Sequence, residues 1–224
     1  MEKVIKLWNH GDSETFTYKR ISELRKALKT YNIRIDKSVK LGNNVSISEH
    51  TTIDKDSSIE DDVYIGAYSV VGEKVQIGKG SIIRDAVWIG DEVKIAENVI
   101  IDEYSKIEYR CSIGSNTLIK SKCHLEYDAK IGNTCIIDDD ILIPFKFELG
   151  HFSKISRQLV IGGDWRLIYF GTDIYIKCQK HSYNEWIEKG LELAKKYGFP
   201  EDKIEEYSKY VELCNTIKFD NILN

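Results

Sequence analysis

The most regular feature of the chain is an aliphatic residue at every sixth position. The series is Ile35, Leu41, Ile47, Ile53, Ile59, Ile65, Val71, Ile77, Ile83, Ile89, Ile95, Ile101, Ile107, Ile113, Ile119, Leu125, Ile131, Ile137 and Ile143. Two places before each of these stands a small or β-branched residue, such as Val45, Ser81 or Cys135. Residues two apart on a strand face the same side, so the pattern predicts short strands that each place one small and one large side chain inside. An amphipathic helix would need spacings of three and four, and we reject it.

Three six-residue units close one triangular coil of eighteen residues, and this repeat resembles the hexapeptide-repeat family of left-handed parallel β-helices over residues 33–144. The resemblance implies a mainly β fold with a prism of about six coils, roughly 30 Å long at the usual strand spacing. Glycine follows the aliphatic position at 42, 66, 72, 78, 90, 114 and 132. We expect these glycines to allow a positive φ in the turns.

The flanking segments predict a cap at the start and a separate module at the end. Residues 1–32 contain a short strand, "VIKLW", and a helix from about 21 to 31 that should close the first coil. After Pro144 the period is lost, and residues 145–224 predict a small α+β module.

Within this module we expect three strands and two helices. The strands are joined by turns at 162–164 and 171–173. One helix runs from Ser182, in capping-box spacing with Glu185, to Gly198, and a second covers about 202–216.

The residues between the two inward positions point outward, and those eighteen apart should stack in three columns. The apolar column is Ser46, Tyr64, Ile82, Ile100, Leu118 and Ile136. The Trp88 column is Thr52, Val70, Trp88, Lys106, His124 and Leu142. The polar column is Lys40, Ser58, Gln76, Lys94, Ser112 and Lys130.

A continuous apolar column on the outside predicts a buried contact. Hexapeptide-repeat proteins are generally trimers of parallel prisms, so the resemblance implies a homotrimer. Its interface would hold Tyr64, Ile82, Ile100, Leu118 and Ile136. The alternative is that residues 145–224 fold back over the column.

Composition narrows the function classes. The chain has 224 residues, 42% of them hydrophobic and 30% charged, which suits a folded protein without a membrane span or a signal peptide. A net charge of −4 argues against duplex nucleic acid as a partner. Cys111, Cys123 and Cys135 are twelve residues apart and fall on different faces. We therefore expect small, reduced interior residues in a cytoplasmic protein, without a disulfide framework.

The resemblance also implies a possible enzyme activity. Most characterised hexapeptide-repeat enzymes are acyltransferases that use acetyl-CoA or another acyl-CoA, with a His as general base between adjacent prisms. His124, in the Trp88 column, is the first candidate for that base, and His181 is the second. No loop interrupts the repeat, which counts against this activity. A zinc site of the γ-class carbonic anhydrase kind lacks its pair of His five residues apart, so we expect no metal.

Aromatic and basic residues concentrate in the C-terminal module. They are Trp165, Arg166, Tyr169, Phe170, Tyr175, Lys177, Lys180, His181, Tyr183 and Trp186. Aromatic rings stack on bases and cations neutralise phosphates, so the set, together with Trp88, predicts a site for a small anionic, nucleotide-like ligand. The alternative is that the aromatic residues form the module's core. Cys178 and His181 have the spacing of half a metal site or of a thiolate–imidazole pair, but the sequence offers no second half.

Two main hypotheses follow. The favoured one is a homotrimer that binds or sequesters a small anionic ligand without turning it over and needs no cofactor. The alternative is a CoA-dependent O- or N-acyltransferase, so whether the protein is an enzyme stays open. A third, a purely structural trimeric spike, would leave the basic residues of the module without a role. The strand, Cys-x-x-His and Trp-bearing helix loosely resemble tails on hexapeptide proteins of phages and mobile elements.

Overall fold

The computed structural model describes residues 2–161, 166–170, 173–176 and 179–216, apart from the side chains at 202 and 215. The protein divides into two compact units, Met1–Lys154 and Ile155–Asn224. Within the described ranges, no helix combines the length and the apolar character needed to cross a membrane.

The first unit opens with an antiparallel pair of strands, β1 (Lys3–Asn9) and β2 (Asp12–Tyr18). A 3-10 helix (Ile21–Leu24) leads into α1 (Arg25–Thr30). Short strands then follow at six-residue intervals: β3 (Arg34–Ile35), β4 (Lys40–Leu41), β5 (Val45–Ser48), β6 (Thr52–Ile53), β7 (Ser58–Ile59), β8 (Tyr64–Ile65), β9 (Val70–Val71), β10 (Gln76–Ile77), β11 (Ile82–Ile83), β12 (Trp88–Ile89), β13 (Lys94–Ile95), β14 (Ile100–Ile101), β15 (Lys106–Ile107), β16 (Ser112–Ile113), β17 (Leu118–Ile119), β18 (His124–Leu125), β19 (Lys130–Ile131), β20 (Ile136–Ile137), β21 (Leu142–Ile143), β22 (Glu148–Leu149) and β23 (Lys154–Ile155).

These strands form three parallel sheets in which neighbours are one coil apart. The sheet with the apolar column has the order β2-β1-β5-β8-β11-β14-β17-β20-β23, and the sheets with the Trp88 and polar columns run from β3 to β21 and from β4 to β22. The predicted mainly β fold with a left-handed parallel β-helix is confirmed. The helix has about seven coils rather than six, because the period continues through Leu149 and Ile155 beyond the predicted end at residue 144.

The interior follows the predicted division into large and small positions. The aliphatic positions from Ile53 to Ile143 are at most 4% exposed. Small polar side chains form hydrogen bonds between successive coils. Ser81 Oγ donates to the carbonyl of Ala96 at 2.9 Å and accepts from the Val99 N–H at 3.1 Å. Ser57, Ser69, Ser105 and Thr117 repeat this arrangement. A buried hydroxyl is therefore satisfied at each of these points.

The cysteines of the repeat lie in the same interior positions, as predicted. Cys111, Cys123 and Cys135 are at most 1% exposed, and all are free. Burial raises the pKa of Cys111 and of Cys123 to about 12. Their thiols stay protonated at neutral pH, which makes them packing residues rather than nucleophiles.

The explanation predicted for the turn glycines is wrong. The residue with positive φ comes two places after the glycine position, as at Tyr68, Ala86 and Phe152, and in the repeat this position is a glycine only at Gly80. The glycines that follow the aliphatic position have a different physical role. A Cβ at Gly78 would lie 2.6 Å from the carbonyl carbon of Ala96 in the next coil. These glycines allow the coils to approach each other.

The N-terminal cap differs from the prediction in two ways. The helix expected over 21–31 is divided between the 3-10 helix and α1. The strand "VIKLW" is part of β1, which forms a hairpin with β2. The largely exposed sequence of β2, "DSETFTY", pairs with β1 along its whole length. Its polar pattern has no buried face to reveal a strand. β1 pairs in parallel with β5 and so covers the start of one sheet.

The second unit contains an antiparallel sheet and two helices. The strands are β24 (Leu159–Ile161), β25 (Leu167–Tyr169), β26 (Asp173–Ile176) and β27 (Gln179–Ser182), in that order across the sheet. The fourth strand was not predicted, and the turn residues 162–164 and 171–172 lie outside the described ranges.

Both predicted helices of this unit are present. α2 (Tyr183–Lys196) begins at Ser182, whose side chain forms the predicted capping box with Glu185. α3 spans Glu201–Thr216 and buries Tyr207, Val211 and Cys214 in a core with α2 and the sheet, with Ile204 packed partly buried against it.

The contact between coils generates a stability prediction. We expect Gly78→Ala to lower the free energy of unfolding by about 1–3 kcal/mol, since the new methyl group would overlap backbone atoms of the next coil. Gly150→Ala is the matched control, because it occupies the same repeat position but a Cβ there would meet only Ser153 Oγ, at 3.9 Å. Urea unfolding followed by circular dichroism checks both, and equal losses would contradict this role of the glycine.

Candidate functional site

Four side chains on the Trp88 sheet form the most chemically organised cluster of the first unit. The register places Trp88 opposite Lys106, and Lys106 opposite His124, on adjacent strands. His124 Nε2 lies 2.9 Å from Glu108 Oε1, and Lys106 Nζ lies 2.8 Å from the same oxygen. Lys106 Nζ also lies 5.1 Å from the centre of the Trp88 ring. We call Trp88, Lys106, Glu108 and His124 the His124 cluster.

The charge of Glu108 determines the state of this cluster. Burial raises the pKa of its carboxyl, but the hydrogen bonds from Lys106 and His124 outweigh that effect and lower the pKa overall. An ionised carboxylate can only accept, so a neutral His124 must carry its proton on Nε2. The lone pair of Nδ1 is then available to accept a proton from another molecule.

The cluster is reachable from outside. The side chain of His124 is 36% exposed and that of Glu108 is 20% exposed. Trp88 is 39% exposed. In this arrangement the carboxylate orients the imidazole through one nitrogen, and the other nitrogen can accept a proton. A histidine placed in this way can act as a general base.

Sequence reasoning predicted Trp88 and His124 but missed Glu108. Glu108 is the second residue after Lys106, at the corner that ends β15, and its function depends on His124 in the next coil. The eighteen-residue spacing could have revealed the pair. It places Lys106 beside His124 in the next coil, and Glu108 is two residues after Lys106.

An aromatic stack, also missed, stands beside the cluster at the same corner of the prism. Tyr109 and Tyr127 stack with ring centres 5.0 Å apart, and the ring of Phe145 continues the row, 4.2 Å from that of Tyr127 and tilted by 33°. Arg110 lies 4.8 Å from the Tyr109 ring and makes two hydrogen bonds to Asp128. Successive members of this stack are one coil apart, so it was visible in the sequence.

Two of the aromatic residues predicted to bind a ligand in the C-terminal module are buried. Tyr169 is 6% exposed within the core of the second unit, and Tyr175 is 3% exposed. Lys180 Nζ lies 3.0 Å from Asp173 Oδ2. Arg166 is exposed. The buried rings correspond to the core alternative considered for this module.

His181 packs against aromatic rings in the same unit. Its ring centre is 5.4 Å from that of Trp186 and 5.8 Å from that of Tyr197. Its Nε2 atom is buried without a hydrogen-bond partner. Its Nδ1 lies 3.8 Å from Glu185 Oε2. His181 therefore lacks the close carboxylate contact that His124 has.

Three predicted residues lie outside the described ranges: Trp165, Lys177 and Cys178. Within the described ranges, no group of three or more His, Cys, Asp or Glu side chains is arranged to hold a metal ion.

The chain is similar to known proteins along its repeat. A family model described as the GMPPB C-terminal domain matches residues 43–146. With the coils described above, this match confirms the resemblance to hexapeptide-repeat, left-handed β-helix proteins. A comparison with curated protein sequences gave no match.

Solved structures with similar folds were also found. A hexapeptide transferase family protein from Anaplasma phagocytophilum is 12% identical, over 95% of this chain and 93% of that one, with a TM-score of 0.36. LpxA from Acinetobacter baumannii is 14% identical over 80% and 78% of the two chains, with a TM-score of 0.46. UDP-N-acetylglucosamine acyltransferase from Francisella novicida is 15% identical over 80% and 70%, with a TM-score of 0.39. At these identities and scores the similarity assigns no activity to this chain.

The balance of effects on Glu108 can be tested by NMR titration. In the wild-type protein we expect the carboxyl of Glu108 to titrate below its ordinary pKa of 4.5. In the double variant Lys106→Met, His124→Asn only the effect of burial remains, and the pKa should rise above that value. Lys94→Met on the polar column serves as the control and should leave the titration unchanged. If Glu108 titrates alike in all three proteins, the described hydrogen bonds do not set its charge.

Proposed function

We propose that the protein is a homotrimeric, cytoplasmic acyltransferase that moves an acyl group from an acyl-CoA to a hydroxyl or amine, with His124 as general base. The observation that carries this proposal is the hydrogen bond between His124 Nε2 and Glu108 Oε1 at 2.9 Å on an accessible surface. An exposed aromatic ring is also close to this pair, because Lys106 contacts both Glu108 and the ring of Trp88.

The reaction follows from the state of the imidazole. Nδ1 of His124 removes the proton from the acceptor hydroxyl or amine as its oxygen or nitrogen attacks the thioester carbonyl. The carbon–sulfur bond then breaks, and the CoA thiolate takes the proton back from the imidazolium and leaves as a free thiol. Glu108 is a positioning residue, because it fixes the tautomer and stabilises the positive charge on His124. Lys106 keeps Glu108 ionised, and the exposed Trp88 ring offers an apolar contact for the substrate.

The apolar column supports the trimeric part of the proposal. Tyr64, Ile82, Ile100 and Leu118 are partly exposed in the first unit, and Ile136 is 38% exposed. Register pairs stack these five side chains without interruption. The apolar sheet and the Trp88 sheet meet at one corner, since each coil passes from one to the other in six residues. Glu108 follows β15 at the other corner, toward the polar sheet, so a neighbouring subunit on the apolar column would flank the Trp88 sheet on the side away from Glu108.

Binding of a small anionic, nucleotide-like ligand without turnover is the second candidate function. The observation in its favour is the uninterrupted coil from β3 to β23, with no projecting loop to carry catalytic groups. Native mass spectrometry of gently purified protein separates the two functions. A ligand retained and released unchanged supports binding, whereas acetyl-CoA that is bound and slowly converted to free CoA supports acyl transfer.

The trimer can be tested at the centre of the apolar column. Ile100→Asp should dissociate the assembly, because it places an unpaired charge in the proposed interface. The control is Ser112→Asp, an outward position on the polar column that is also partly exposed and lies next to Lys94 and Lys130. Light scattering reports the mass of each variant. A trimeric Ile100→Asp variant would contradict the interface, as would a monomeric wild-type protein.

The catalytic role of His124 can be tested with acetyl-CoA and hydroxylamine as a simple acceptor, measuring release of free thiol. We expect His124→Asn to lower the rate by about 10²–10⁴-fold and Glu108→Gln by a smaller factor.

The matched control is His10→Asn. His10 also contacts a carboxylate, with Nδ1 2.7 Å from Glu49 Oε1, but it lies in the N-terminal hairpin. A His124→Asn variant with the wild-type rate would rule out the proposed base, and a wild-type protein that never releases thiol would rule out the activity.

A further inference from the structure

A cleft at the N-terminal end of the first unit shares no residue with the His124 cluster. Its volume is about 760 Å³, which is in the usual range of small-molecule sites. α1 and the following turn form one wall, and strands β3 and β6 form the other. The lining residues are Arg25, Leu28, Lys29, Asn32, Ile33, Arg34, Ile35, Asp36, His50, Thr52, Ile53 and Asp54.

Three cations converge on this cleft from two elements. Arg25 and Lys29 are four residues apart on α1 and so lie on the same side of the helix. Arg34 is the outward residue of β3, the terminal strand of its sheet. Within the described ranges, no hydrogen bond or ion pair occupies the side chains of these three residues. Three unneutralised cations around one concave surface attract an anion.

A second hollow of the prism shows the contrast. It is lined by Lys74, Lys94 and Arg110, among others, but two of these cations are already paired. Lys74 Nζ lies 3.8 Å from Glu92 Oε1, and Arg110 donates two hydrogen bonds to Asp128. In that hollow only Lys94 lacks such a partner, whereas in the N-terminal cleft all three cations lack one within the described ranges.

The cleft is also lined by two carboxylates. Asp36 and Asp54 follow the aliphatic residues Ile35 and Ile53, at the far ends of β3 and β6. Asp36 Oδ1 is occupied by the backbone and side chain of Ser38, at 2.8 and 2.6 Å. Asp54 makes no side-chain hydrogen bond or ion pair within the described part of the chain. Its free oxygens accept hydrogen bonds from hydroxyl groups.

An aromatic surface completes the rim. The ring of His50 stacks on Tyr68 in the next coil, with centres 4.7 Å apart and planes 6° apart. Tyr68 covers one face of the imidazole and His50 lines the cleft, so the His50 ring adds an aromatic surface for a planar group of a ligand.

We propose that this cleft binds a phosphomonoester that carries hydroxyl groups. Its phosphate lies between Arg25, Lys29 and Arg34, and its hydroxyls donate to Asp54. Arginine pairs well with phosphate oxygens through its planar fork, and lysine adds a point charge. This site is independent of the acyltransfer proposal, because it shares no residue with the His124 cluster.

Isothermal titration calorimetry with three probes tests the proposal. Inorganic phosphate presents the anion alone, ribose 5-phosphate adds hydroxyls, and adenosine 5′-monophosphate adds a planar base. We expect saturable binding of ribose 5-phosphate that is at least about tenfold tighter than that of inorganic phosphate, as good hydrogen bonds to a charged group permit. Tighter binding of the adenosine compound would assign the aromatic rim at His50 to the base, and equal binding would limit the ligand to a sugar phosphate.

The variants separate the parts of the site. Lys29→Gln and Arg34→Gln should each weaken all three probes by about tenfold or more. Asp54→Asn should weaken ribose 5-phosphate and leave inorganic phosphate unchanged. The matched control is Lys40→Gln, an exposed outward lysine on β4 at the same end of the prism but outside this cleft.

Circular dichroism confirms that each variant is folded, which is expected because these side chains are on the surface. The proposal is overturned if no probe binds saturably at millimolar concentration. It is also overturned if Lys40→Gln weakens binding as much as Arg34→Gln does, since that result would indicate a diffuse effect of charge.

Discussion

The backbone hydrogen bonding between successive coils is the constraint on which the rest of this structure depends. Each outward residue donates its N–H to a carbonyl of the next coil, as from Ile82 to Val99 at 2.8 Å and from Ile100 to Thr117 at 2.9 Å. Most strands contain two residues, so no strand pair is stable by itself. Their stability comes from stacking in register, and a change of one residue would turn every inward side chain outward.

This register also organises the surface. Side chains one coil apart stand above one another, which produces the apolar column, the aromatic stack at Tyr109 and the paired charges of Arg110 and Asp128. The His124 cluster arises in the same way, from Glu108 in one coil and His124 in the next. The N-terminal cleft forms where this order stops, since β3 has no coil before it and α1 lies beside its open end. Its cations are unpaired because stacking supplies no opposite charge there.

The sequence was most informative at the interior positions, where the repeat gives each residue the same surroundings in every coil. Ile101 and Ser81 sit in an interior that repeats in every coil, so their burial and the parallel sheets could be predicted. It was less informative at the ends. The coils after Pro144 place Phe147 at a position that is elsewhere small or β-branched, which hid their period. β2 was missed because its exposed residues carry no alternation, and Glu108 was missed because a carboxylate at a turn is the usual composition of a solvated corner.

By itself, the sequence determined the prism, its three outward columns, the interior cysteines and the two C-terminal helices, because period and burial are local consequences of side-chain size and polarity. Only the tertiary structure decided which polar residues work together. Tyr169 and Tyr175 could stack on a ligand or pack in a core, and the fold buries them. His124 gains its carboxylate because the coils bring a residue sixteen positions away to 2.9 Å, and Arg25, Lys29 and Arg34 line one cleft because α1 lies beside β3. Such distances depend on the folded path of the backbone, which residue types alone do not encode.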